Sequence, residues 1–172
     1  MLPAETSRLR FREMTDDDLD AMAALLGDPV VMTYYPVPKT REQAAAWIAW
    51  NQRNYAEHGY GLWIVETHTG EFLGDCGLTW QRVNDTSRLE VGYHIRADRQ
   101  GRGFATEAAA ACRDLARETL GSPELVAIID PRNSASRRVA EKIGMSHLDD
   151  DTTGSVPVRT VMGMTLDARN ER

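Results

Sequence analysis

The segment that decides the fold of this 172-residue chain is Arg96–Glu107, with the sequence RADRQGRGFATE. A short alternating apolar run, Leu89–Ile95, precedes it and predicts a strand. The alanine-rich run Ala108–Cys112 follows it and predicts a helix. The segment is therefore a glycine-containing turn that joins the end of a strand to the start of a helix.

This turn has the properties of a phosphate-binding site. The first amide groups of a helix have no partner within the helix, and the helix dipole adds positive potential there. Gly101 and Gly103 lack the Cβ atoms that would hold a ligand away from the backbone. Arg99 and Arg102 add positive charge. Together these properties predict that the turn binds a phosphate or pyrophosphate group.

Two common phosphate motifs do not match the turn. The Walker motif requires Gly-Lys followed by Ser or Thr, which the chain lacks, and the dinucleotide fingerprint requires Gly or Ala where Thr106 stands. The turn resembles instead the pyrophosphate loop of the GNAT superfamily of N-acetyltransferases, Gln/Arg-x-x-Gly-x-Gly/Ala, which binds acetyl-CoA. Gly101 and Gly103 match this pattern, whereas Asp98 occupies its first position. From the turn alone, a plain connection capped by glycines is the alternative.

A second motif lies about thirty residues downstream, as a strand–helix–strand unit requires. GNAT proteins often carry an Asn at the start of a short helix that closes with Lys-x-Gly-Phe. Asn133 and the run Lys142–Met145 match, with Met145 in place of Phe. The Asn-x-x-Ser spacing that ends at Ser136, and the Gly-Tyr pair within Glu90–Tyr93, resemble the ribosomal-protein (Rim-type) branch of the superfamily.

The resemblance covers roughly residues 7–166 and implies one GNAT-type domain over residues 1–172. The hydrophobic pattern predicts the order β-α-α-β-β-β-α-β-α-β-β. The expected fold is α/β (α+β), with a mixed, twisted sheet of six to seven strands and helices on both faces. The apolar run Leu125–Ile129 predicts a buried strand flanked by parallel strands. Thr160–Leu166 is expected to be the last strand, in a hairpin through the polar stretch Asp149–Ser155.

The resemblance also implies which residues bind acetyl-CoA. They lie at the end of the predicted strand, in the turn and at the start of the second motif: Tyr93, Ile95, Arg99, Gln100, Gly101, Arg102, Gly103, Phe104, Ala105, Thr106 and Asn133. For Asn133, simple helix capping is the alternative. Tyr34, Tyr35 and Trp47 are expected either to contact the acceptor substrate or to pack in the core, and the core is the favoured position for Trp47.

Acetyl transfer to an amine requires a base for the amine and protonation of the departing thiolate. Glu90 is the candidate base, because the matching carboxylate in the Rim-type branch often faces the acceptor cleft; an exposed strand carboxylate is the alternative. The superfamily frequently uses a Tyr to protonate the thiolate, but Ala140 occupies that position here. Ser136, water or a proton taken directly from the intermediate must serve instead, and Ser136 is the candidate side chain. Its alternative role is to satisfy a backbone group in the first turn of the helix. His94 is expected mainly to pack or to cap.

Composition limits the partners. The net charge of −6 argues against general nucleic-acid binding, and no apolar run approaches the length of a membrane span. The four His residues show no metal-ligand spacing, so no metal is expected. With two cysteines and no signal-peptide pattern in Met1–Glu5, the expected location is the cytoplasm.

Two functions remain open from the sequence. One is an acetyl-CoA-dependent N-acetyltransferase whose acceptor is a primary amine, either a small molecule or a protein N-terminus. The other is a non-catalytic acyl-CoA-binding module of the same fold. In both cases a monomer or a homodimer is expected.

Overall fold

The structure is a computed structural model that describes residues 1–167. It contains one seven-stranded sheet, in the order β1-β2-β3-β4-β5-β7-β6, and four α-helices. The elements are β1 (Leu9–Arg12), α1 (Leu19–Leu26), α2 (Arg41–His58), β2 (Leu62–Thr67), β3 (Phe72–Val83), β4 (Thr86–Ile95), α3 (Phe104–Glu118), β5 (Glu124–Ile129), α4 (Ser134–Lys142), β6 (Ser146–Asp151) and β7 (Arg159–Thr165). The predicted order of elements and the predicted fold class are confirmed.

Helices cover both faces of the sheet because successive side chains of a strand point to opposite faces. In β2, Trp63 and Val65 pack into the core shared with α3 and α4. Their neighbours Leu62 and Ile64 pack into a second core beneath α1 and α2. The apolar run Leu62–Val65 of β2 therefore reflects burial on both of its faces.

The predicted neighbours of β5 are only half correct. β5 is parallel to β4, which completes the predicted β4-α3-β5 unit, but it is antiparallel to β7. An apolar run reports burial on both faces and carries no information on the direction of the neighbouring strands. β4 and β5 share a single paired position, Glu90 with Val126, and separate beyond it.

The last hairpin is also shifted from its prediction. The polar residues Asp149–Asp151, expected in the turn, belong to β6 and pair with β7. The buried Asp151 carboxylate accepts hydrogen bonds from Arg159, Thr153 and Asn84, which satisfies the charge inside the hairpin. A polar sequence can therefore continue the strand. Over residues 1–167, the helices are too short or too polar to cross a membrane.

Candidate active site

The turn after β4 has the backbone conformation that its glycines permit. Gly101 and Gly103 have φ angles of 75° and 81°, in the left-handed region that residues other than glycine rarely adopt. Gly103 directly precedes Phe104, the first residue of α3. A Cβ atom added to Gly101 would meet no other atom within 4 Å. The turn thus presents backbone and open space at the start of a helix.

A cleft of about 520 Å³ lies between this turn, the end of β4, α4 and the loop that joins α1 to α2. All of the predicted cofactor residues except Arg102 line it, and so do Tyr34, Tyr35 and Ser136. Glu90 lies outside the lining. The tertiary structure therefore brings together residues that are about one hundred positions apart in the chain.

The positive charge around the cleft does not come simply from Arg99 and Arg102, the two arginines of the turn. Arg99 lines the cleft, but its Nη2 atom lies 2.6 Å from Glu71 Oε1, so that carboxylate offsets much of its charge. Arg138 and Lys142 of α4 also line the cleft, and they form no ion pairs with residues 1–167. Sequence analysis missed both, although their i, i+4 spacing after Asn133 places them on one side of α4.

Asn133 and Tyr93 connect the cleft to α4. The side-chain oxygen of Asn133 accepts a hydrogen bond from the Ser136 N–H at 3.1 Å, so Asn133 does cap α4. Capping uses only the oxygen, and it is therefore compatible with a second role for the side-chain amide. The Tyr93 hydroxyl donates to the carbonyl oxygen of Ser136 at 2.9 Å, which ties β4 to α4.

Glu90 bridges β4 and β5 where the two strands separate. Its Oε2 atom accepts a hydrogen bond from the Ile128 N–H at 3.1 Å. Burial raises the pKa of Glu90 to about 7, while the Ile128 N–H and the charges of Arg159 and His94 oppose the rise. A carboxylate with a pKa near neutral pH is well suited to act as a general base.

A polar cluster that sequence analysis missed lies on the same face of β4 as Glu90. Asp75 is fully buried, and its Oδ1 atom lies 2.8 Å from His94 Nδ1. His94 Nε2 lies 2.9 Å from the Tyr35 hydroxyl. The Trp47 indole N–H donates to the other carboxylate oxygen at 3.1 Å, so Trp47 is both a packing and a hydrogen-bonding residue. His94 therefore has two specific partners, and it lines the cleft.

Metal ligation has no support in this arrangement. Among residues 1–167, three or more His, Cys, Asp or Glu side chains do not come together in a group that could hold a metal ion.

The amino-acid sequence of the chain is similar to those of two Bacillus subtilis proteins. The chain is 45% identical over 144 residues to the uncharacterized protein YkkB of Bacillus subtilis (strain 168), covering 83% of this chain and 84% of YkkB. It is 30% identical over 143 residues to the uncharacterized N-acetyltransferase YoaA of the same organism, covering 81% of this chain and 80% of YoaA.

Solved structures show the same fold. The acetyltransferase from Agrobacterium tumefaciens str. C58 superposes with a TM-score of 0.81 at 29% identity, covering 95% of this chain and 94% of that one. RimL, a ribosomal L7/L12 alpha-N-protein acetyltransferase solved with coenzyme A, superposes with a TM-score of 0.77, covering 98% of this chain and 100% of RimL. Its identity is 15%, so this likeness concerns the fold alone, and the Rim-type branch stays a prediction.

The family comparison decides between the two functions that the sequence left open. Residues 8–146 match the family described as "Acetyltransferase (GNAT) domain". This match and the relatives named N-acetyltransferases support the enzyme rather than the non-catalytic module. The chain belongs to the GNAT family and is an N-acetyltransferase whose co-substrate is acetyl-CoA.

Proposed function

We propose that the protein moves the acetyl group of acetyl-CoA to a primary amine, by direct attack of the amine on the thioester. The acceptor is a small molecule or the α-amine of a protein N-terminus. The observation that carries this proposal is the cleft, because the glycine turn, the end of β4 and α4 all border one space of about 520 Å³. A monomer or homodimer in the cytoplasm is the form we expect.

In this proposal the backbone amides of Gln100–Thr106 hold the pyrophosphate of CoA. Arg138 and Lys142 add positive charge from α4, together with Arg99 or Arg102 from the turn. The pantetheine arm follows β4 at Tyr93 and Ile95. Support comes from the single paired position between β4 and β5, since the edge of β4 beyond it is available for hydrogen bonds to a ligand. Asn133 completes the site from the start of α4.

For the chemical step we propose Glu90 as the general base, acting directly or through one water molecule. Its pKa of about 7 suits proton transfer from an amine at neutral pH. Ser136, which lines the cleft, is proposed to hydrogen-bond the departing sulfur. Ala140, at the position where the family often has Tyr, is fully buried and has no polar side-chain atom.

Two matched glycine variants test the cofactor site. Gly101 and Gly121 both have positive φ angles, 75° and 59°, and a Cβ atom at either would meet nothing within 4 Å. Gly101→Val and Gly121→Val should therefore carry similar backbone strain, but only Gly101 borders the cleft. CoA at 100 times its Kd should stabilise the wild type and Gly121→Val by about 2.7 kcal/mol. Gly101→Val should gain little, and an undiminished thermal shift in this variant would contradict the assignment.

The acceptor is tested by CoA release from acetyl-CoA with different classes of amine. The set includes polyamines, aminoglycosides, amino acids and peptides with ribosomal-protein N-termini. We expect one class to raise CoA release well above the background hydrolysis, with mass spectrometry detecting the acetylated amine. If CoA binds but no amine is acetylated, the proposed acceptor chemistry is wrong.

A further inference from the structure

The stoichiometry of the proposed reaction requires two proton transfers from nitrogen. A primary amine is largely protonated at neutral pH, because the pKa is about 7.7–8.0 for an α-amine and about 10.4 for lysine. The product amide keeps only one of the three N–H protons of the ammonium group. One proton must therefore leave before attack and another after it. Glu90 is proposed for the first, and the second still needs an acceptor.

The buried pair Asp75–His94 has a defined proton arrangement. Asp75 and His94 lie opposite each other on β3 and β4, and their side chains share one face of the sheet. An ionised carboxylate only accepts hydrogen bonds, so His94 Nδ1 carries the proton that lies between them. In the neutral imidazole, Nε2 is then an acceptor. When His94 is in this neutral form, the Tyr35 hydroxyl, 2.9 Å away, donates a hydrogen bond to Nε2.

Tyr35 connects this pair to the cleft. Tyr35 comes from the loop between α1 and α2, lines the cleft and is 47% exposed as a residue, whereas burial around its hydroxyl raises the pKa of that group. The phenol oxygen has lone pairs besides its bond to His94. It can therefore accept a proton from a substrate while it passes its own proton to the imidazole.

On this face of β4, the position between Glu90 and His94 is occupied by a glycine, which has no side chain. Gly92 lies between them on β4 and pairs with Gly77 on β3. A Cβ atom at Gly92 would lie 3.6 Å from Glu90 Oε1 and 3.5 Å from a methyl group of Leu62. A carboxylate and an imidazole therefore lie on either side of a glycine on the same face of β4.

We propose that Tyr35, supported by His94 and Asp75, is the second proton acceptor of the reaction. The nitrogen lone pair forms the C–N bond, and the carbonyl electron pair moves to oxygen. The proton that the nitrogen then loses passes to the Tyr35 oxygen, while the Tyr35 proton passes to His94 Nε2. The electron pair on oxygen then re-forms the carbonyl, the C–S bond breaks, and the electron pair of that bond stays on sulfur. The proton returns from His94 through Tyr35 and yields CoA as the thiol.

The electrostatic environment of His94 favours this path. Burial opposes a charged imidazole, but the charges of Asp75 and Glu90 and the hydrogen bond to Asp75 outweigh it, so the pKa of His94 is raised. Lys39 is the charged neighbour that acts in the opposite direction. The imidazolium formed during the reaction is thus balanced by the adjacent carboxylate.

The inference rests on the proposed function, and its test uses the amine that the wild-type enzyme acetylates best. Tyr35→Phe and His94→Gln are compared with controls that have similar contacts away from the cleft. Tyr60→Phe removes a hydroxyl that accepts from Trp80 at 2.9 Å, and His147→Gln removes an exposed His whose Nε2 lies 2.9 Å from Asp150.

We expect Tyr35→Phe and His94→Gln to lower kcat by about 10- to 100-fold, less than the usual 10²–10⁴-fold for an acid–base group, because water can partly replace a relay. The KM for acetyl-CoA and the CoA-induced thermal shift should stay near wild type, as should kcat in both controls. Tyr35 is a partly exposed loop residue, so its variant tests the inference even if His94→Gln folds poorly.

The pH dependence of kcat separates the relay from a structural role. If Glu90 and His94 must both be unprotonated, log kcat should fall at low pH with a slope approaching 2 in the wild type. The slope should be 1 in His94→Gln. Wild-type kcat in Tyr35→Phe, or an unchanged slope in His94→Gln, would overturn the inference while leaving the acetyl transfer intact. Inactivity of the wild type toward every amine would overturn both.

Discussion

The two faces of β4 carry opposite kinds of side chain. Leu89 and Val91, each 2% exposed, point into the core beneath α3. Glu90 and His94 lie on the other face, where each makes a hydrogen bond to a neighbouring strand. Because side chains alternate along a strand, one segment can stabilise the fold with one set of residues and hold titratable groups with the other. We therefore expect substitutions on the two faces to change different measurements.

The largest effect is expected from Glu90→Gln on the polar face. Loss of a positioned base should lower kcat by about 10²–10⁴-fold, with the KM for acetyl-CoA nearly unchanged. The deficit should shrink at higher pH, where more of the amine is unprotonated. Glu124→Gln is the matched control and should keep near wild-type activity, because it removes a β5 carboxylate that pairs with Arg88 of β4. Near wild-type kcat in Glu90→Gln would remove the base assignment.

On the apolar face, Leu89→Ala should change stability rather than catalysis. Truncation of a buried Leu costs about 2–5 kcal/mol, because transfer free energy is lost and a cavity remains. The same change at Leu148, which is 50% exposed on β6, should cost less than about 0.5 kcal/mol. Urea unfolding measures both. Equal costs at the two positions would contradict the division between the faces of β4.

Glu90 also predicts a conflict between activity and stability. Its pKa rises from an ordinary value of 4.5 to about 7 on folding, so the native state binds its proton more tightly than the unfolded state. The wild type should therefore lose stability relative to Glu90→Gln as pH rises from about 5 to above 7, by roughly 2–3 kcal/mol. Urea unfolding at pH 5 and pH 8 tests this, and an equal difference at the two pH values would be the contrary result.

The smallest effect is expected at Ser136. Tyr93, on the same face of β4 as Leu89 and Val91, donates a hydrogen bond to its carbonyl oxygen. A thiol with a pKa of about 8.5 leaves readily near neutral pH, so help from a hydroxyl is worth little. Ser136→Ala should lower kcat by less than about tenfold, well below the effect of Glu90→Gln. Ser134→Ala, at the exposed first residue of α4, is the control. A larger loss than in Glu90→Gln would reverse the proposed ranking.

One pair of the polar cluster, Asp75 and His94, could have been predicted from the sequence. Asn84 and Asp85 form the two-residue loop between β3 and β4, with φ angles of 46° and 65°. Asn and Asp tolerate such angles, and a two-residue loop sets the register of the whole hairpin. Counting back from it places Asp75 opposite His94. The pair could therefore have been predicted from this loop.

Tyr35 could not have been assigned in the same way. It lies in the irregular segment between α1 and α2, where neither strand register nor helical spacing determines a neighbour. The position of this loop depends on how α1 and α2 pack on the sheet. Arg138 and Lys142 are similar, because their distance from the turn depends on the docking of α4.

The sequence by itself determined the order of the elements, the glycine turn before α3 and the family to which the chain belongs. These follow from local properties: alternation, helical spacing and the backbone angles that Gly101 and Gly103 permit. Only the tertiary structure decided that Glu90 spans the separation of β4 and β5, and that Tyr35, His94 and Asp75 form one hydrogen-bonded chain. The pKa values of Glu90, Tyr35 and His94 depend on burial and on charges from other strands and loops, which arise only when the sheet and helices pack together.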